Sequence, residues 1–512
     1  MRAIACVAVG LSLTGAAARA DGIAGPSSAR SPIAVPGAVS VARAAVIPPC
    51  TLFVDAAATG AELGTVGQPF KTIGGAVAAA PAGAIICVAQ GTYAEALRPG
   101  TKYFTLAGGF QHGASFKVRD SATYVSKALG KGGSFIRIED PGPTEGQLTA
   151  IDGFEITGYA QAIYRNIYYS QRFDLTNNYI HNNNCKNTAL IGGGFSLNNV
   201  TGTIQGNVFA NNTCTRGGAG ALGDSTHSNS VTIAQNLFTG NLGTETQIGH
   251  GGGLYLFATN LAIVGNTFVG NRVTGWGGGL YVGAFTGGGL QTNATLNGNI
   301  YRRNRAGVYG GGFFCDDSAS CVSNNEIYDS NCGGNIYLDG GPGGSGPTRA
   351  SFDHLTNVRA RKVGCVGAGP GVQITKNNDA PDAYSFTDAL FWGNATGLDF
   401  DASCGQGCNA ATVTVTYSMV QTLYANGGMK VTFGSGVLPP KGIDFVAPAT
   451  GDFHLKSRFG HYTDGGYVTD AVTSSALAKG DPNKPAPLNP PRAGTRSELG
   501  AFGNSPQASY VK

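Results

Sequence analysis

A unit of about 29 residues recurs through the middle of the chain, and no other feature constrains its folding as strongly. It reads Asn178-Tyr-Ile-His-Asn-Asn183, Asn207-Val-Phe-Ala-Asn-Asn212, Asn236-Leu-Phe-Thr-Gly-Asn241, Asn266-Thr-Phe-Val-Gly-Asn271 and Asn299-Ile-Tyr-Arg-Arg-Asn304, with starts 29, 29, 30 and 33 residues apart. A glycine cluster follows each unit, at 192–194, 217–218, 251–253, 277–279 and 310–312. One supersecondary unit stacked on copies of itself gives such a period. Between the turns run segments of three to five residues rich in β-branched and aromatic side chains, such as Leu254-Tyr-Leu256 and Leu280-Tyr-Val282, too short for helices. Three strands per unit predict an all-β chain: a parallel β-helix with three parallel sheets. The third residue of each unit (Phe209, Phe238, Phe268, Tyr301) is expected to point inward and stack on its neighbour one coil away. The asparagines are expected in tight turns, where Asn tolerates left-handed backbone, and stacked there they can form an amide ladder.

The ends differ. Residues 1–20 read as a secretory signal, with Arg2, an apolar core at 4–13 and the small-x-small site Ala18-Arg-Ala20; the apolar stretch is short of the roughly 20 residues a span requires. An Ala/Pro/Ser-rich spacer follows at 21–49, then an N-terminal cap and first coil at 50–100, whose short helix is expected near 75–80. The β-helix is assigned to 101–404, and the last coils with an extended Pro-rich tail to 405–512. Charged residues make up only 12% of the chain, which favours a well-buried fold over disorder. The net charge is +4, two of it from Arg2 and Arg19 in the leader, so neither a nucleic-acid footprint nor a basic membrane patch is expected. A monomer without a transmembrane anchor is the expectation.

Eleven cysteines less Cys6 of the leader leave ten. Cys185 and Cys214 each lie seven residues beyond the first Asn of their units, so adjacent coils about 4.8 Å apart would stack them within disulfide reach. Cys50–Cys87, Cys315–Cys321, Cys332–Cys365 and Cys404–Cys408 are the sequence-nearest pairs; a zinc site is the alternative, but no spacing assembles four ligands.

Two resemblances follow from these motifs. Phe-x-x-Asn (209–212, 238–241, 268–271) followed by Gly-Gly-Gly-Leu (251–254, 277–280) resembles the repeats of polymorphic outer membrane proteins over residues 178–335, which implies a surface adhesin. The long C-terminal run of amphipathic strands that would form a membrane barrel is missing from the pattern. The ends, with Phe53-Val-Asp55, Gln68-Pro-Phe-Lys-Thr-Ile73 and Gly91-Thr-Tyr93, then Gly451-Asp-Phe-His-Leu-Lys-Ser457 and Glu498-Leu-Gly-Ala-Phe502, resemble secreted bacterial right-handed β-helix proteins of pectin-lyase-like fold.

Function is expected from residues that break the repeat. A non-catalytic carbohydrate-binding or cell-surface role is the first reading, with a polysaccharide or surface glycan as partner. A lyase or hydrolase acting on an acidic polysaccharide is the second; no cofactor is required, and calcium enters only for a lyase. For that chemistry Arg302, Arg303 and Arg305 could supply a base and Asp316 and Asp317 the acids, all within one coil. Asp224 and His227 in a longer loop, His250 and Trp276 are candidate substrate contacts, as are Tyr164, Tyr168 and Tyr169, whose rings could stack on sugars. Asp399 and Asp401 are a weak calcium pair, and Asp152 and Glu155, three apart on a strand, point to opposite faces.

Overall fold

The structure, a computed structural model, describes residues 46–511 apart from 47, 114, 140–145, 187–188, 224–229, 246–248, 258–259, 284–290, 318, 341–346, 366–368, 378–379, 395–398, 407–410, 422, 427–428 and 485–495. Three long sheets, parallel throughout, carry the chain. Sheet A has 14 strands, from Leu52–Val54 to Lys430–Phe433; sheet B has 11, from Gly91–Tyr93 to Leu390–Trp392; sheet C has 11, from Ile136–Glu139 to Leu423–Asn426. Each coil visits A, then B, then C, so the fold is a parallel β-helix. In four coils a two-residue strand between B and C, from Thr213–Cys214 to Arg305–Ala306, adds a narrow fourth ladder. Parallel pairing runs through the first and the last coils: Leu52 pairs with Ile86, and Thr412–Thr416 with Lys430–Phe433.

Stacked inward rings fill the core. Phe209, Phe238, Phe268, Tyr301 and Tyr328 follow one another with centroids 5.1, 4.7, 4.9 and 4.6 Å apart, all within 12° of parallel. The stack exists because strand pairing puts each ring in register with the next, for example Phe238 with Phe268.

Two corners of the coils between Asn178 and Asn331 share one device. A residue in left-handed conformation precedes a buried Asn, which contributes its amide to a ladder along the axis. At the A–B corner the left-handed residues are Asn177, Gly206, Gln235, Gly265 and Gly298, each just before Asn178, Asn207, Asn236, Asn266 and Asn299. The turn therefore divides its work: the preceding residue takes the left-handed backbone that was expected of the ladder Asn itself. Each ladder Oδ1 accepts both the backbone N–H and an Nδ2–H of the Asn in the preceding coil, as Asn236 does from Asn207 at 2.9 and 3.0 Å. The second ladder runs through Asn183, Asn212, Asn241, Asn271, Asn304 and Asn331. The first ends on an acid, Glu326, which accepts from Asn299. Burial pushes Glu326 up to about 8, because a carboxylate loses its hydration there.

Of the glycine clusters, Gly251 and Gly277 take positive φ, whereas a side chain on Gly252 or Gly253 would strike the carbonyl oxygens of Gly278 and Gly279. The second and third glycines thus permit close approach of coils.

Helix Ile73–Ala79 covers the first coil with Ile73, Ala76 and Val77. Thr72 caps it by accepting from Gly75 N–H, and Glu95 accepts from the N–H groups of Ile73 and Gly74; both satisfy donors that a helix start leaves open. Disulfides join Cys50–Cys87, Cys185–Cys214, Cys315–Cys321 and Cys332–Cys365, with Cα separations of 5.7, 4.6, 6.6 and 5.1 Å. Cys408 lies outside the described residues. At the C-terminus Phe445, Phe453, Leu455, Leu477 and Leu499 pack on Ile327, Val358, Leu390 and Met419, covering the outer face of sheet B.

Candidate functional site

Sheet C carries the outer surface with the most chemistry. The middle residue of each three-residue strand there points away from the core, where a solvated sheet would be polar. Four successive coils instead place Tyr255, Tyr281, Phe314 and Tyr337 in register. Their rings stack along the axis with centroids 5.3, 5.0 and 4.8 Å apart. Earlier coils place small residues in the same column, Ser196 and Ala221, preceded by Tyr164. Half-buried rings border the stripe: Trp276 packs 6.2 Å from Phe314, Tyr309 4.9 Å from Tyr337, and Phe257 4.7 Å from Tyr255.

Polar groups flank the rings on both sides. Arg216 holds Glu245 through Nε to Oε2 and through Nη2 to Oε1 at 2.9 Å, and its Nη1 donates to the Tyr255 hydroxyl at 3.2 Å. This hydrogen bonding keeps the Glu245 carboxyl below its ordinary range. On the opposite margin the Tyr281 hydroxyl donates to Asp316 Oδ2. Burial raises Asp316. Burial, together with the charges of Asp316, Asp317 and Asp382, pushes Asp339 up to about 8, so that it is largely protonated near neutrality. The Cys315–Cys321 disulfide closes the base of the loop bearing Asp316 and Asp317.

Some of the residues singled out from sequence converge here. His250 lies 4.6 Å from the Tyr281 ring and 5.1 Å from Trp276, and Tyr281 reaches Asp316, so His250, Trp276 and Asp316 meet around one tyrosine. Asp317 is buried next to them in sequence. The arginines do not join them. Sharing a coil does not give a shared face, because Arg302 ends a sheet B strand and Arg305 starts a strand of the fourth ladder, whereas Asp316 leaves sheet C. Arg302 is committed elsewhere: Nε lies 3.0 Å from Asp329, and Nη1 and Nη2 donate to the carbonyls of Thr450 and Ala449. Arg303 takes the left-handed corner position. Asp224 and His227 lie outside the described residues. Tyr168 and Tyr169 are 66% and 57% exposed and contact each other edge to face. Asp399 is locked by Asn394 and Gln421, whereas Asp401 faces outward from sheet C beside Gln373, so the two do not form a pair. Asp152 is bound by Arg119, Thr176 and Asn177, and Glu155 by Lys127 and His181.

Among the described residues one trio could hold a metal by spacing: Asp353, His354 and Asp388, with ligand atoms within 4.8 Å of one another. The Lys484 ammonium already lies 2.5 Å from Asp353 and 2.9 Å from Asp388, so the chain supplies the cation and fastens its own tail.

Sequence reasoning passed over Tyr255, Tyr281, Phe314, Tyr337, Arg216, Glu245 and Asp339. The available signal was alternation: Tyr255 and Tyr281 stand between two inward residues in strands already recognised, and an aromatic at the outward position of a strand marks a covered or binding face. Comparison with known proteins returned no matching family model, no matching curated sequence and no matching solved structure. No helix among the described residues is long and apolar enough to cross a membrane.

Proposed function

We propose that this is an exported protein that binds an extended carbohydrate chain along the outer face of sheet C. The aromatic stripe over four coils carries the reading: Trp276, Tyr309 and Phe257 at its margins offer ring faces to sugars, while Glu245, Arg216 and Asp316 offer hydrogen-bond partners for hydroxyls. The disulfides suit an oxidising compartment. The resemblances to secreted pectin-lyase-like proteins and to surface-adhesin repeats point the same way. Binding is tested by affinity electrophoresis against neutral and acidic polysaccharides. Trp276→Ala and Tyr309→Ala should each weaken binding by about tenfold, the scale of one lost ring contact. Equal retention of both variants and the parent on a bound polysaccharide would refute the assignment to this face.

Cleavage is the second reading, favoured by Asp316, a carboxyl held up by burial at the edge of the stripe. New reducing ends or unsaturated products from acidic polysaccharides, lost in Asp316→Asn, would establish it. Binding without product would leave the non-catalytic role.

A further inference from the structure

Beside the aromatic stripe lies a contact that carbohydrate binding does not use. Lys376, on strand Val372–Asn377, and Asp382, just before strand Ala383–Thr387, have fully buried side chains. Lys376 Nζ stands 2.9 Å from Asp382 Oδ2. That oxygen makes no hydrogen bond of ordinary geometry, so the amine approaches off the hydrogen-bonding direction. The other oxygen, Oδ1, accepts the Thr348 N–H at 2.8 Å. Gly340, paired with Lys376 across the sheet, makes room: a Cβ there would collide with Asp382 Oδ2 and lie 3.4 Å from Lys376 Cδ.

We propose that Lys376 and Asp382 become joined by a side-chain amide bond that the folded chain forms on itself. Two observations bear on it. Two opposite charges sealed from water pay a desolvation penalty that a neutral amide avoids. The contact brings nucleophile and carboxyl together at fixed orientation, which replaces a bimolecular encounter with an intramolecular one.

The step balances without an oxidant or co-reactant. In the first step a proton passes from the Lys376 ammonium to the Asp382 carboxylate. The Nζ lone pair then attacks Asp382 Cγ, and charge developing on Oδ1 is met by the Thr348 N–H. A proton passes from Nζ to Oδ2, the two atoms already in contact. The Cγ–Oδ2 bond breaks, Oδ2 leaves as water, and an Nζ–Cγ amide remains. The product is a covalent ring between residues six positions apart, which fixes the margin of the sheet C face next to Asp339.

Mass spectrometry of the full-length folded protein decides it. After reduction of the disulfides the intact chain should be lighter by one water, and trypsin should fail to cut after Lys376, leaving one cross-linked peptide from residue 363 to Lys430. Lys376→Arg and Asp382→Ala should each restore the full mass. Circular dichroism should show both variants folded, and the mass and cleavage of the folded parent decide alone where one is not. Full mass with ready cleavage after Lys376 in the folded parent would overturn the proposal. A water loss that survives in Lys376→Arg would also overturn it, by placing the dehydration elsewhere.

Discussion

Asn241→Ala tests the corner ladder directly, because every polar atom of that side chain is accounted for and the residue is 0% exposed. Its Oδ1 accepts Asn212 N–H at 3.0 Å and Asn212 Nδ2–H at 3.1 Å, and its Nδ2 donates to Phe209 O at 3.0 Å and Asn271 Oδ1 at 2.9 Å. Alanine removes all four bonds. Asn271 Oδ1 keeps the Asn241 backbone N–H, and Asn212 Nδ2 keeps Ile180 O. The Asn212 N–H is left without its acceptor and the Phe209 carbonyl loses a donor. At about 1–3 kcal/mol for each buried unsatisfied group, plus the gap left by the amide, the cost is about 3–5 kcal/mol. That is a large part of the stability of an ordinary domain. Stacked repeats contact only their neighbours, so the loss should be concentrated in the coils around residues 209–241. Hydrogen exchange followed by mass spectrometry should show Asn212 and its flanking peptide exchanging faster by two orders of magnitude or more, about 1.4 kcal/mol per factor of ten. Thr239→Ala, on a partly exposed position of the adjoining strand, should change exchange little. Asn241→Asp retains the acceptor but aims a second acceptor at Phe209 O; it should be milder at acidic pH, where the acid can donate, and worse at neutral pH. Unchanged protection of Asn212 in Asn241→Ala would refute the claim that the ladder holds the corners.

Three further outcomes follow from the same contacts. Glu326 has a folded value raised from 4.5 to about 8, so its contribution is fully present below about pH 4.5 and is lost as pH rises to about 8; Glu326→Gln should flatten that decline, and thermal melting from acidic to alkaline pH reads it. Lys484→Met strips the cation from Asp353 and the fully buried Asp388; destabilisation of about 2–3 kcal/mol, reduced because Lys484 is partly exposed, should appear as earlier proteolytic release of the C-terminal segment. Cys185→Ser opens a disulfide that closes 29 residues, for which loop entropy gives about 3–4 kcal/mol, visible as a lowered denaturation midpoint that a reductant reproduces in the parent.

The parts of this protein legible in its sequence are those that repeat. Phe209, Phe238 and Phe268 declare an inward column, the Asn pairs declare two corners, and Cys185 with Cys214 declares the register, because a solenoid maps a fixed spacing along the chain onto a fixed spacing along its axis. The site was legible only in pieces. His250, Trp276 and Asp316 stood out as residues, yet their meeting around Tyr281 depends on which strand turns outward and where each loop leaves its sheet. Arg302 and Asp316 looked like partners because they share a coil, but one coil has three faces and they left it on different ones.

Sequence alone therefore determined the coil, its stacked core and the Cys185–Cys214 staple, all fixed by local periodicity. Only the tertiary structure decided which outward residues would be buried and which charges would be spoken for: Arg302 is held by backbone 148 residues away, and the two Asp353–Asp388 carboxylates by a lysine from the tail. Such contacts carry no period, since they arise where the returning chain lies on coils already built, and their energies depend on desolvation that no single coil can supply.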